Sequence, residues 1–491
     1  MSELAYLSAH ELLQRMNTGQ LTSRQLLEYY IARLEQVNPE INAVVALNLP
    51  DARQAADQAD HDRQSGRLYG PLHGLPMTIK DSFEVTGMPT TSGASRFRNH
   101  HAQRDAEGVQ RLKQAGAIIF GKTNVPYFTA DWQSYNRVYG TTHNPWDRAC
   151  TPGGSSGGAA AALAAGLTPL EFGSDIGGSI RTPAHYCGVF GHKPTLHAVP
   201  LRGHIPGPPG SLSTPDLAVA GPLARSAADL TLALDVVSGV GLPVSKGLAP
   251  TLAPCLKTSL TDFKVRAWFN HSLCPLDTQV SHRYSALVES LRQQGVTVDE
   301  GQPDELDFIA VYQTYLRLLS AQFSADAALR DRLTAKLLSP VAKYAGEFLK
   351  LGPQMDHYLA GLSLSHADWL KLNEKRLQMA EKLHTMFNRY DVLLTPIVPT
   401  TAIPHTQKSH ILVRHIQVNG QSRPYTDHFP WISIATTLGL PATAAPLGLA
   451  ANGMPVNVQI IGDAWQDKTT LRFAELLEAV NGGFQIPPAY A

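Results

Sequence analysis

Apolar residues recur at helical spacing near the start of the chain. Ser8-Ala-His-Glu11 has the capping-box pattern, in which a Ser side chain and a Glu three residues on satisfy each other's free backbone N–H groups. Leu12, Leu13 and Met16 follow, and a second helix starting near Thr22-Ser23 carries Leu26, Leu27, Tyr30, Ile31 and Leu34. The first 65 residues therefore read as helices. From about residue 70 short apolar runs alternate with helical patterns. Residues 77–80 form a short strand with Met77 and Ile79 on one face and Thr78 and Lys80 on the other. Residues 109–116 read as helix, 117–120 as a buried strand, 156–165 as a helix of small residues and 168–172 as a strand. Further strands are expected at 264–269, 391–398 and 455–462, with helical periodicity over 306–388. This alternation predicts α/β layers around a largely parallel or mixed sheet. The proline-rich stretch 200–215 reads as a long surface loop bordering a site.

Composition removes several function classes. Among 491 residues, 41 Lys and Arg balance 41 Asp and Glu, so no global field exists to hold nucleic acid. The longest small-apolar stretch, 157–170, is mostly Ala and Gly and too weakly hydrophobic to span a bilayer. The N-terminus carries Glu3 and Glu11 and lacks the basic and apolar regions of a signal peptide. Cys150, Cys187, Cys255 and Cys274 are too sparse for a disulfide framework, which points to a reducing cytoplasm. The 19 histidines include no HExxH, and His192 and His197 lack a third ligand at a recognisable spacing, so no metal is expected.

Two well-known patterns are matched out of context. Gly116 to Thr123 fits GxxxxGK[ST], but its variable positions, Ala-Ile-Ile-Phe, belong in a buried strand, and Pro126 stands where a helix should propagate. Gly153-Gly-Ser155-Ser-Gly157 fits the GxSxG nucleophile elbow, yet loop-like residues precede it instead of a strand. An esterase using Ser155 with one of His405, His410, His415 or His428 is kept as a lesser alternative.

The segment 151–195 carries more. Two Gly-Gly-Ser units, 153–155 and 177–179, are separated by a helix and a strand, a connection that could return the chain so that the loops meet. Upstream, Lys80 ends a strand amid apolar neighbours. The glycine- and serine-rich block, the run Asp175-Ile-Gly-Gly-Ser-Ile-Arg181, and Cys187-Gly188 through Lys193-Pro-Thr195 resemble the amidase signature family. So do Gly74-Leu-Pro-Met-Thr-Ile-Lys80, Gly121-Lys-Thr-Asn124, Gly439-Leu-Pro-Ala-Thr443 and Gly453 to Gly462, while 245–390 matches poorly.

The resemblance implies the amidase signature fold, a large central mixed sheet with helices on both faces. It implies one domain over 1–491: N-terminal helices (1–65), signature core (66–245), a variable helical region (246–390) and the C-terminal part of the core sheet (391–491). It also implies a Ser–cis-Ser–Lys triad of Ser179 as nucleophile, Ser155 as bridge and Lys80 as base, with no cofactor. Chemistry agrees with these residue types: a serine needs a base to become a nucleophile, and burial can leave a lysine neutral enough to serve. The N–H groups of Ile176, Gly177, Gly178 and Ser179 are the expected oxyanion hole, and Asp175 with Arg181 an ion pair bracing the loop. Tyr127, Trp132, Tyr135, Gly154 and Trp431 are the expected substrate contacts. The aromatics tilt the expected substrate towards an aryl or bulky apolar amide, with esters and carbamates open to the same acyl chemistry. The main alternative is the glutaminase subunit of a tRNA-dependent amidotransferase. Expected partners are a small-molecule amide and water, without nucleic acid or membrane; the oligomeric state, a homodimer included, stays open.

Overall fold

Both N-terminal helices begin at their capping boxes. Ser8 and Glu11 cap Ala9–Asn17, and Thr22 and Gln25 cap Ser23–Ile41. The computed structural model describes residues 3–205, 209–239, 241, 251–326, 328–345 and 352–491; Pro206, Pro208 and the division expected near residue 245 lie outside them.

Eleven strands form one mixed sheet. In chain order they are β1 (Val44–Leu47), β2 (Pro76–Lys80), β3 (Ile118–Thr123), β4 (Leu170–Asp175), β5 (Phe190–Lys193), β6 (Val219–Ala224), β7 (Lys264–Ala267), β8 (Thr297–Glu300), β9 (Val392–Thr395), β10 (Ala442–Leu449) and β11 (Pro455–Ile461). Their order across the sheet is β1-β3-β2-β4-β6-β5-β10-β11-β9-β7-β8. β3, β2 and β4 run parallel, as do β9, β7 and β8, while the strands between are antiparallel. Helices flank the sheet, and each of the four expected sections contributes at least one strand.

Three differences from the sequence expectation have physical reasons. Residues 1–65 include the strand β1, a short segment that docks on the edge of β3. β3 runs on past Phe120 because Lys122 finds buried acceptors in the carbonyls of Phe83 and Pro89 and the hydroxyl of Thr90. β4 starts later than expected, since Thr168 is engaged in a turn through its bond to the Leu170 carbonyl, and continues through polar Ser174 and Asp175.

The helix Gly157–Ala164 explains how the site is brought together. All eight of its residues are buried and all but Leu163 are Gly or Ala, so it lies close under β2 and β4. Its N-terminus is thereby held beside the ends of β2 and β4, where the strands release Lys80 and Asp175.

Candidate active site

Lys80, the last residue of β2, is fully buried. Its Nζ lies 2.7 Å from Ser155 Oγ and 3.0 Å from Ser174 Oγ. Removing an ammonium from water costs solvation energy, so burial drives the lysine's proton affinity down to about 7, against the pull of Asp175 and Glu171. Ser155 follows a cis peptide from Gly154 and stands just before the helix Gly157–Ala164. Ser179 lies between β4 and the helix Arg181–Cys187. The Ser156 N–H donates to the Ser179 carbonyl at 3.1 Å, so the two Gly-Gly-Ser loops do meet.

Asp175 and Arg181 form a fully buried pair. Arg181 donates to the carboxylate through Nε at 3.0 Å and Nη2 at 2.8 Å. Its remaining donors go to Gln459, Thr436 and the Ile432 carbonyl, so the buried guanidinium is well satisfied. Burial alone would raise the Asp175 carboxyl, but Arg181 holds it down to about 2. The carboxylate also accepts the N–H groups of Gly178 at 2.9 Å and Ile180 at 3.1 Å.

That last contact corrects the expected oxyanion hole. The Gly178 N–H, one of the four expected donors, is already taken by the Asp175 carboxylate. Among the described residues no acceptor takes the N–H of Ile176, Gly177 or Ser179. The Tyr315 hydroxyl, 3.1 Å from the Ile176 carbonyl, fixes the planar peptide that carries the Gly177 N–H. Trp132 Nε1 holds the next carbonyl, that of Gly177, at 2.7 Å. Gly178 itself has φ +88°, a left-handed conformation that favours glycine.

Ser179 borders a cavity of about 980 Å³. Trp132, Ile176, Leu319, Phe323, Tyr358 and Phe429 give it an apolar wall, and Asp131, Tyr135 and Arg414 a polar one. Of the expected substrate contacts, Tyr127, Trp132 and Tyr135 line it. Trp431 does not: it is fully buried against Trp268 and Phe308. It lies two residues after Phe429, about 200° around the same helix, so when Phe429 faces the cavity Trp431 faces the core. Gly154 is packed away as well, with no room for a side chain beside the backbone of Asp131 and Gln133. The 200–215 loop is also not wholly on the surface. Its Ile205 N–H is bound to the Ser82 carbonyl at 2.7 Å, and among the described residues none of 200–215 lines the cavity, to which the helices Phe308–Phe323 and Met355–Gly361 contribute Leu319, Phe323 and Tyr358.

Sequence reasoning missed Asp131 and Arg414, an ion pair at 2.6 Å, and the Ser174–His204 contact behind Lys80. A polar residue directly before Asp175 was the one visible signal, since its strand leads to the second serine loop. The last six residues of the GxxxxGK[ST] match form buried strand β3, and residues 142–154 before Ser155 contain no strand. No histidine hydrogen-bonds to Ser155 among the described residues; His428 is engaged by Tyr186 and the Tyr425 carbonyl. His192 is engaged by Thr443 and Asp467, and no cluster of His, Cys, Asp or Glu among the described residues could hold a metal ion.

The mixed sheet thus carries a buried lysine–serine pair, Lys80 and Ser155, and the loop whose Ser179 borders the cavity. The Amidase family profile matches residues 25–471, and the chain belongs to the amidase signature family of amidohydrolases. It is 31% identical to a glutamyl-tRNA(Gln) amidotransferase component from Chloroflexus aggregans, over 98% of this chain and 97% of that protein. It is 32% identical to the fatty-acid amide hydrolase 2-A of Danio rerio, over 99% of this chain and 90% of that protein. A crystal structure of an amidase superposes with a TM-score of 0.76 at 28% identity, covering 96% of this chain and 99% of that one. No helix among the described residues is long and apolar enough to cross a membrane.

Proposed function

We propose that the enzyme cleaves aryl or bulky apolar carboxylic amides through an acyl-enzyme on Ser179. The observation that carries this reading is the 2.7 Å contact between buried Lys80 Nζ and Ser155 Oγ, on a loop that meets the one whose Ser179 borders the cavity. Neutral Lys80 accepts the Ser155 proton while Ser155 accepts that of Ser179. Ser179 Oγ then attacks the amide carbon. The developing oxyanion is held by the N–H groups of Ile176, Gly177 and Ser179; one such donor is worth about 2.7–4 kcal/mol. As the C–N bond breaks, Ser155 passes a proton to the departing amine, and Lys80 restores the Ser155 proton. Water cleaves the acyl-enzyme by the same relay. Esters and carbamates share the chemistry.

The aromatic wall supports the substrate class, because a glutamine side chain would leave most of that surface unfilled. A glutaminase role within a tRNA-dependent amidotransferase is the second reading, favoured by the amidotransferase relatives. The proposed partners are the small amide and water, without nucleic acid or membrane. A cytoplasmic setting is supported by four free cysteines. A panel of anilides, aliphatic amides, esters, carbamates and glutamine against wild type and Ser179→Ala tests the reading. Anilide turnover that Ser179→Ala abolishes is expected. Ammonia release from glutamine without anilide turnover would favour the second reading, and gel filtration of the same preparation gives the oligomeric state.

A further inference from the structure

The hydroxyl of Ser174 lies between Lys80 and an imidazole. Ser174 Oγ is 3.0 Å from Lys80 Nζ and 2.8 Å from His204 Nε2. His204 is held in place from both sides. The Ile205 N–H donates to the Ser82 carbonyl at 2.7 Å, and the Glu84 N–H donates to the Gly203 carbonyl at 2.9 Å. The ring meets Phe83 edge-on, with centroids 4.8 Å apart. The segment just after Lys80 therefore anchors the imidazole that reaches back to Ser174.

The count of hydrogens decides what this contact does. A neutral lysine amine has two N–H donors and one lone pair, and a serine hydroxyl has one proton. If Ser174 gave its proton to Lys80, the lone pair would be occupied and could not take the Ser155 proton. We propose that His204 is a positioning residue: its Nε2 accepts the Ser174 proton, so that Ser174 presents only lone pairs to Lys80 and the amine's own lone pair is left for Ser155. In this arrangement Lys80 donates to Ser174 Oγ and, more weakly, to the Ser174 carbonyl at 3.4 Å. Burial, and the charge of Lys80 when it is protonated, hold the proton affinity of the ring down to about 3, so it is neutral at neutral pH; with its one proton on Nδ1, Nε2 is the acceptor. The other charged groups that Lys80 feels, Asp175 and Glu171, both belong to β4.

The inference rests on Lys80 acting as the base, and its test separates the two ideas. His204→Phe keeps a ring against Phe83 but removes the acceptor. It is expected to lower kcat about 10- to 100-fold, with KM within about twofold. Adding Ser174→Ala removes the misdirected proton, so the double variant should be faster than His204→Phe and no slower than Ser174→Ala alone. Wild-type kcat in His204→Phe, or losses that multiply in the double variant, would overturn the inference. Lys80→Ala is the parallel control: if it retains activity the base itself is misassigned, whereas its inactivity beside a fully active His204→Phe removes only His204. Should His204→Phe fail to fold, nitrogen NMR of [15N]histidine-labelled wild type decides, with His204 assigned by its loss in His204→Gln. Nε2 is expected without a proton, and a protonated Nε2 contradicts the inference.

Discussion

Lys80 and Lys122 are both fully buried, on strands that pair in parallel, with Lys80 opposite Thr123 and Ile79 opposite Lys122. Burial pushes the proton affinity of each down. Their neighbours differ. Lys122 Nζ is 3.4 Å from the Asp81 carboxylate and 2.7 Å from the Phe83 carbonyl, so its charge is matched and its donors are used. Lys80 touches the hydroxyls of Ser155 and Ser174, while the carboxylates of Asp175 and Glu171 act on it without bonding to it. A hydroxyl can exchange a proton with an amine; a carboxylate beside an ammonium favours the charged form, here against burial, which pushes Lys122 down and Asp81 up. Desolvation alone therefore does not make a base. The groups within hydrogen-bonding reach do.

The sharpest way to break the comparison is to remove each lysine. Lys80→Ala should cost about 100- to 10,000-fold in kcat/KM, the usual range for a general base, with the fold intact by circular dichroism. Lys122→Met should do the reverse. It strands Asp81 in the interior and is expected to cost about 3–5 kcal/mol in denaturant unfolding, with kcat per folded molecule within about threefold. Adding Asp81→Asn should recover much of that loss, as double-mutant unfolding curves would reveal.

The pH dependence is a finer test. Lys80 must be neutral to act, so kcat/KM should rise through an acid limb near pH 7 and then level off. Stability follows the same sign. Between about pH 7 and 10.5 the unfolded chain holds a proton that folded Lys80 has lost, so this group's contribution is full above pH 10.5 and lost as pH falls through about 7. Lys80→Met should make that part of the stability profile shallower, the remaining slope belonging to buried Lys193, also pushed down to about 7, and to Lys122.

The smallest expected effect falls on Glu171, whose charge acts on both lysines and whose own carboxyl burial pushes up to about 8. Its charge raises the proton affinity of Lys80, so Glu171→Gln should move the acid limb downward. Near pH 7 the carboxyl is already largely protonated, so the move should be less than about one pH unit, measured from the kcat/KM profile.

Much of this was legible in the chain. The two capping boxes, the strand ending in Lys80 and the two serine loops are local patterns, and local patterns survive folding. The Asp175–Arg181 brace was readable for the same reason, since its partners are six positions apart. Long-range pairings left no such trace. Arg414 reaches Asp131 across 283 positions, and His204 reaches Ser174 across 30. Trp431 shows the opposite error: an aromatic next to a motif looked like a substrate contact, and helix rotation turned it into the core. Gly178 shows that a backbone donor in the right segment is available only if no closer acceptor takes it.

The central claim is that Ser179 attacks while Ser155 relays the proton. Labelling with a fluorophosphonate followed by peptide mass mapping tests it directly. The account predicts the label on Ser179 with Ser155 unmodified. A label on Ser155, with Ser179 free, would contradict it.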